Sequence, residues 1–420
     1  MIDVTMVPRG QRLRLPRLPW QRQNEIEAFT GCADWLPADG ERPPLLDIEQ
    51  FDLFDRDRHP FYRDAEAELF LARRGGQVVG RVAAIVSHHH NAFERSRSET
   101  AGRTGFFGFY EAIEDHVVAD ALLDVASEWL RARGMVEMVG PASPSHNYYY
   151  GARALDEETV PYSPTRFLEA YSPPRYHDHY LAWGLTVERR MFGFDCDLDS
   201  PEVARVIERF EATIAKTVRS TGLRIRPMDV DDFDDEITRV NEMINRSLAE
   251  NWGFSPMSRD ELAYMGEQLK PLIDPALVLI AELEGEPVGI SLALPDYNQV
   301  FAAMDGRLSK IGAAFTFDNI PLVRRLWPRG HAWQSRSIDT ARVIALGIVP
   351  TVGRRGATTR REMLRIGPAL VYSTLMNARR AEFRWLTASW ILEDNKAMLA
   401  PFAIAGIPRT RVWRMYRRAL

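Results

Sequence analysis

Two cysteines in 420 residues, Cys32 and Cys196, are too few for a disulfide framework. A reducing, cytoplasmic setting is the simpler expectation. No apolar run approaches the roughly 20 residues that span a bilayer, and no uninterrupted apolar stretch near the start reads as a secretory signal. Helix-turn-helix, zinc-finger and RNP-type patterns are also missing, so nucleic acid is not an expected partner. No segment is low in complexity. What remains is ordinary globular composition, 45% hydrophobic and 26% charged, with 20 Phe, 13 Tyr and 10 Trp. The length points to two or three domains, and the apolar content suffices for two cores.

The net charge of −5 is unevenly spread. Residues 1–24 hold five arginines against Asp3 alone, and from Arg354 onward fourteen Lys/Arg face four Asp/Glu. Such a basic end in an acidic chain suits a polyanionic ligand or an anionic membrane surface, as at the inner membrane, and equally a solvated helix face. Arg12 to Trp20 mixes arginines with apolar residues, as an interfacial segment would, although two prolines argue against a regular helix there.

One repeat organises the chain. Leu69–Val86 (LFLARRGGQVVGRVAAIV) and Val278–Leu294 (VLIAELEGEPVGISLAL) each read as strand, Gly-containing turn, strand. Aligning Gly80 with Gly289 sets an offset of 209 residues. Downstream, GFFGFYE, a helical stretch ending at Gly134 and MVEMVG correspond to RVIALGIVP (Arg342–Pro350), PALVYSTLMNARRAEF and WLTASWIL. Each half then closes with a helix, a glycine and an aromatic-rich strand. The seam falls near 198–201, where Ser200-Pro201 gives an N-cap and an N1 proline to a linker helix. The expected domains are therefore 1–199 and 200–420.

This order resembles the GNAT acyltransferase fold, an α/β (α+β) arrangement in which a twisted mixed sheet is flanked by helices. The segments His59-Pro-Phe-Tyr62, Gly105-Phe-Phe-Gly-Phe109, Asn251-Trp-Gly-Phe254, Leu294-Pro-Asp-Tyr-Asn298, Gly306-Arg-Leu308 and Ser389-Trp-Ile-Leu-Glu-Asp-Asn395 make it more specific. Together they look like the YghO-like group of tandem GNAT proteins, to which bacterial ceramide synthases are similar. The resemblance runs from about Leu18 to the C-terminus. It implies that a fourth strand splays from a fifth to admit acyl-CoA, whose pyrophosphate sits on backbone N–H groups at the next helix start. It also implies acyl transfer to an amine, a small molecule or a lipid such as a sphingoid base, without a metal.

The two halves differ in what they bring to that chemistry. In the first, Glu111, Glu114 and Asp115 stand where a pyrophosphate needs donors, so this copy is expected to lack the cofactor and to act as scaffold or as one wall of the acceptor site. In the second, Arg354, Arg355 and Gly356, then Arg365, Gly367 and Ala369, form an interrupted version of the family's loop, with Gly367-Pro368 as the helix opening. The resemblance implies an oxyanion donor near Ile348 or Val349 and places Asn395 beside the cofactor. It also implies a Tyr acid four residues before Gly406, where this chain has Phe402; the matching residue of the first half is Tyr180. The base must come from elsewhere. Glu393 or Asp296 is the candidate, with Tyr297 as proton donor, while Glu393-Asp394 reads equally as a helix-capping cluster. Asn251, Trp252, Phe254 and Asn298 could line the acceptor pocket, or pack as core.

The triplet His88-His89-His90, read on a strand, points to alternating faces and is not expected to bind metal. His177-Asp178-His179 and His146-Asn147 with Tyr148–Tyr150 read as a polar seam. The leading expectation is an acyl-CoA-dependent N-acyltransferase. A non-catalytic binder of acyl-CoA or lipid and an aminoacyl transferase of the tandem GNAT type are the alternatives.

Overall fold

A computed structural model describes residues 1–12, 24–32, 35–36, 42–43, 52–155, 163–303, 338–349 and 360–420. The first repeat unit begins with β1 (Asp3–Met6), α1 (Glu25–Thr30) and the hairpin β2 (Ala65–Arg74) and β3 (Gln77–Ser87). It continues through α2 (His88–Arg97), β4 (Thr104–Ala112), α3 (His116–Arg131) and β5 (Glu137–Gly140). Three short strands, β6 (Ala142–Ser143), β7 (Tyr149–Tyr150) and β8 (Ala152–Ala154), lead to α4 (Arg175–Ala182) and the long β9 (Thr186–Asp197). The linker α5 (Pro201–Thr221) opens on Ser200, whose hydroxyl accepts from the Val203 N–H at 3.2 Å.

The second unit comprises β10 (Arg224–Pro227), α6 (Phe233–Ser247), α7 (Arg259–Leu269), the hairpin β11 (Val278–Leu283) and β12 (Glu286–Pro295), and α8 (Asn298–Ala303). After them come β13 (Thr340–Ile348), α9 (Arg360–Arg380), β14 (Trp385–Leu392), α10 (Lys396–Ala405) and β15 (Arg409–Ala419). Both repeat hairpins turn through two residues of positive φ, Gly75-Gly76 and Glu284-Gly285. That is the backbone a type I′ turn requires, and it matches the twist of the flanking strands.

One sheet runs through the whole molecule in the order β1-β2-β3-β4-β5-β15-β9-β14-β13-β12-β11-β10. Each half contributes antiparallel hairpin strands and then one parallel pair: β4 with β5, and β13 with β14. The closing strands are exchanged. β15, from the end of the chain, pairs with β5 of the first half, whereas β9 pairs with β14 of the second. β9 and β15 pair with each other at the centre. β15 gives Trp413, Met415 and Tyr416 to the first half's core and β9 gives Cys196 to the second's, so the exchange joins the two cores.

Two expectations change here. The His88–His90 triplet opens a helix capped by Ser87 instead of lying on a strand. His88 bonds Glu66 at 3.1 Å and His90 packs on Phe106. Gly367-Pro368 does not open a helix either: α9 starts at Arg360 and carries Pro368 inside it. An interior proline forfeits one helical hydrogen bond and costs about 3 kcal/mol. Burial of Ile366, Ala369 and Leu370 against Leu279 and Val288 offsets it. No described helix is long and apolar enough to cross a membrane.

Candidate functional site

Each parallel pair separates part-way along. β4 and β5 are registered only from Thr104/Glu137 to Phe106/Val139, and β13 and β14 only from Thr340/Trp385 to Val343/Ala388. Beyond those points the strands diverge. Each diverging strand is also irregular. The register between β3 and β4 shifts at Arg81/Ala83, and Phe109 has a φ of 50. Between β12 and β13 it shifts at Leu292/Ala293, leaving Ile344 as the extra residue. A bulge at this place turns backbone groups away from the ladder and into the opening.

The two openings are not alike. In the first half the chain itself narrows the space, leaving a cavity lined by Phe109, Glu111, Pro141 and Ser143. All nine residues of β4 are buried, and β6 lies against them. Gly108 is obligatory, because a Cβ there would sit 1.8 Å from the Ala142 carbonyl oxygen. The Phe109 N–H at the bulge donates to Ser143 Oγ at 2.8 Å. Asp115, beyond the strand, caps α3 through the Val117 N–H and pairs with Arg74. In the second half Val343–Leu346 and Ile348 are only half-buried.

At the base of the second opening lies a buried charge network built from both halves. Arg342, 1% exposed, donates to Ser389 Oγ at 3.0 Å and to the Phe167 carbonyl at 2.8 Å. Ser389 in turn donates to Glu169. Glu169 lies 3.7 Å from Arg342 and 3.5 Å from Arg411. Arg411 donates to Asp195 at 2.9 Å and to Thr387. Arg166 reaches Asp195 at 3.6 Å and Asp296 at 3.4 Å. Three arginines thus face three carboxylates out of water, where each unpaired charge would be heavily penalised. Burial opposes ionisation of Asp195, yet Arg411 and then Arg166 hold its carboxyl at about 2. Full burial lowers Arg342 from its usual value although Glu169 raises it. Trp390 sits beside this network, with the Arg342 guanidinium 4.7 Å from its ring centroid and the Tyr150 ring tilted against it at 4.4 Å.

The residues singled out from sequence fall into three groups. Asp296, 2% exposed, joins the network, accepting from the Phe167 N–H at 2.8 Å; burial raises its carboxyl pKa against the pull of Arg166. Tyr297 donates to the Leu272 carbonyl, and burial raises its pKa. Asn298 donates to the Thr165 carbonyl at 3.1 Å.

A second group lines the opening or its rim. Ile348 flanks it, but the Val349 N–H is spent on the Val288 carbonyl at 2.9 Å and the side chain is core. An oxyanion donor is therefore not Val349; the bulge moves the exposed backbone back toward Ile344. Glu393 follows β14 directly and forms a 2.8 Å ion pair with Arg190. Asn395 caps α10, accepting from the Met398 N–H. Phe402 stacks on Phe194 at 4.1 Å. Gly367 approaches Ile348 from α9, where Arg365 is half-buried and Ala369 is core.

The third group lies elsewhere. Trp252 packs edge-on against His146 at 5.3 Å and Phe254 against Phe93 at 6.1 Å, while Asn251 closes a turn to the Phe254 N–H. They stitch the halves together. Arg354, Arg355 and Gly356 lie outside the described residues, as do Gly306–Leu308 and most of the Arg12–Trp20 segment. Sequence reading passed over Glu169, Arg342, Arg411, Arg166 and Asp195. The signal was an arginine within each of two apolar strands, RVIAL and RVWRM, where an unpaired cation could not stay.

A cavity of about 120 Å³ lies on the first half's side of this network. Its walls include Tyr110, Glu111, Tyr149, Glu169, Tyr180 and Asn298. Glu111 is held by a bidentate bond from Arg42 at 2.7 and 2.8 Å and by the Tyr176 hydroxyl at 2.6 Å. Among the described residues no group of three or more His, Cys, Asp or Glu could hold a metal ion.

No family model matches the chain. It is 30% identical over 382 residues to a bacterial ceramide synthase of Caulobacter vibrioides (strain NA1000 / CB15N), covering 90% of each chain. It is 26% identical over 405 residues to the protein YghO of Escherichia coli (strain K12), covering 95% of this chain and 94% of the other. Among solved structures, a tandem GNAT protein from the clavulanic acid biosynthesis pathway overlays with a TM-score of 0.49 at 13% identity, over 100% and 98% of the two chains. A probable N-acyltransferase from Enterococcus faecalis V583 gives 0.47 at 8% identity, over 100% of this chain and 73% of that one.

Proposed function

This chain belongs to the family that includes the bacterial ceramide synthase of Caulobacter vibrioides, and from that premise we propose that it transfers an acyl group from acyl-CoA to an amine in its second half. A long-chain amine of the sphingoid type is the acceptor that the relative's name favours. One observation carries the reading. Of two equivalent openings, the first is narrowed by Ala142-Ser143, seated against Gly108, and the second keeps Val343–Leu346 only half-buried.

The reaction asks little of the protein beyond placement and charge. The amine nitrogen attacks the thioester carbonyl, the C–N bond forms and the C–S bond breaks. The nitrogen's proton leaves, and the thiolate takes up a proton to give free CoA and an amide. The backbone at the Ile344 bulge supplies donors for the oxyanion, since its ladder register is interrupted there. Asp296 is the proton acceptor on this reading. Burial raises its affinity for a proton, and its neighbour Asn298 lines the adjoining cavity. Glu393 stands four residues beyond Ser389, roughly 13 Å along an extended strand. With Arg190 it walls the path of the CoA arm instead of touching the carbonyl.

The first half holds no acyl-CoA on this account. The arginines of Arg354–Arg365 supply charge for the phosphates. Phe402, a ring without the phenol of the family's acid, favours a second reading, a binder of acyl-CoA that does not turn over. Thiol release distinguishes the two. Incubation with long-chain acyl-CoA and a panel of amines that includes sphinganine should release CoA, and Asp296→Asn should lower kcat by 10²-fold or more with acyl-CoA affinity kept. Binding without release for any amine would leave the second reading.

A further inference from the structure

The cavity in the first half is not explained by the acyl-CoA site. Its wall contains Tyr180, which is 1% exposed and packed between the rings of Phe107, Tyr110 and Tyr416. Among the described residues its hydroxyl meets no hydrogen-bond partner, whereas the neighbouring phenols of Tyr110 and Tyr176 are bonded to His179 and Glu111. Burial raises the Tyr180 pKa well above its usual value, so the group stays a donor. A buried donor facing an empty space calls for an acceptor atom.

The charges of the cavity narrow what that acceptor can be. Both of its carboxylates are committed, Glu111 to Arg42 and Glu169 to Arg342 and Arg411. Arg42 and Arg81 also stand in the wall. No free anion waits for an ammonium ion, and the two fixed cations disfavour one. A neutral nitrogen or oxygen lone pair suits the phenol.

The cavity also shares walls with the open gap of the second half. Tyr149 faces the cavity while the next residue, Tyr150, packs at a tilt against Trp390. Glu169 faces the cavity and accepts from Ser389 at the gap's base. We propose that this cavity binds the polar head of the acceptor as the uncharged amine, with the Tyr180 hydroxyl donating to it. The first half is then the acceptor-binding half. The inference rests on the reading of the second half as the acyl-transfer site.

Calorimetric titration of the full chain with a short-chain 2-amino-1,3-diol, in the absence of acyl-CoA, tests it. Binding is expected, weakened about tenfold by Tyr180→Phe, which keeps the ring and the fold. The trimethylammonium counterpart of the same diol should not bind. Ser172→Phe, which fills the cavity, should abolish amine binding and leave acyl-CoA binding intact. In turnover, Tyr180→Phe should raise KM for the amine by the same factor at unchanged kcat. Equal affinity for Tyr180→Phe, binding of the trimethylammonium compound, or no binding by the wild-type chain would overturn the inference. Turnover with an unaltered KM in Tyr180→Phe sinks the cavity alone; Tyr180-dependent binding without CoA release sinks the transfer reading alone.

Discussion

Glu261 shows how much a single buried carboxyl can weigh. It sits where α7 meets the first half, accepting from the Tyr148 hydroxyl at 3.0 Å. Burial raises its pKa from 4.5 to about 6, against the opposing bonds of Tyr148 and Ser258. An acid whose folded pKa lies above its unfolded value is destabilising when ionised. Its contribution improves as pH falls from about 6 toward 4.5 and is flat below that. Glu261→Gln should therefore raise stability by about 1–2 kcal/mol at pH 7 in chemical denaturation, with no gain at pH 4. At this scale the sequence was informative about residue type and weak about partners. Asp296 was singled out for following the second hairpin, and it does join the charged centre. The arginines that meet it there, Arg166 and, through Glu169, Arg342, come from segments far apart in the chain. Nothing in local spacing reports such a meeting.

Among the elements, the repeated hairpins were the most legible, because short apolar runs and Gly-containing turns act locally. The splay of each parallel pair was expected only from the resemblance. The bulges that accompany it carry no sequence signature, and this is why the expected oxyanion donor was placed as far along as Val349. The helix start was misplaced for a related reason. Proline favours a first turn, yet burial of Ile366 and Leu370 makes an interior proline tolerable in α9. The narrowing of the first opening by β6 gives a sharp prediction. Gly108→Ala places a methyl carbon on the Ala142 carbonyl, so it should destabilise the chain by about 1–3 kcal/mol or force β6 out of the opening. Thermal unfolding of the variant measures this, and an unchanged midpoint would show that β6 is not seated there.

For the molecule as a whole, the exchange of β9 and β15 is decisive, and sequence could not reveal it. Alternation fixes which face of a strand is buried but not which strand lies beside it. A cut at 199/200 follows the repeat boundary and separates each closing strand from the sheet it completes. Residues 1–199 and 200–420 expressed apart should each remain unfolded or associate, whereas co-expression should restore a one-to-one complex, as judged by circular dichroism and size-exclusion chromatography. Two well-folded monomers would contradict the pairing. Asp195 and Arg411 lie on these two strands. With a folded pKa of about 2 against 3.8, Asp195 stabilises the chain above pH 4 by roughly 2 kcal/mol and loses this as pH falls toward 2. Asp195→Asn should remove that part of the acid sensitivity and leave Arg411 without its closest carboxylate, which costs more at neutral pH than it relieves in acid.

The claim beneath all of this is that one of two equivalent openings, and only the second, holds acyl-CoA. Calorimetric titration with a non-hydrolysable acyl-CoA thioether tests it directly. The account predicts one site per chain, lost in Ala345→Trp, which fills the half-buried second opening, and retained in Ser143→Ala at the first. Two sites per chain, or loss of binding in Ser143→Ala with Ala345→Trp unaffected, would contradict it.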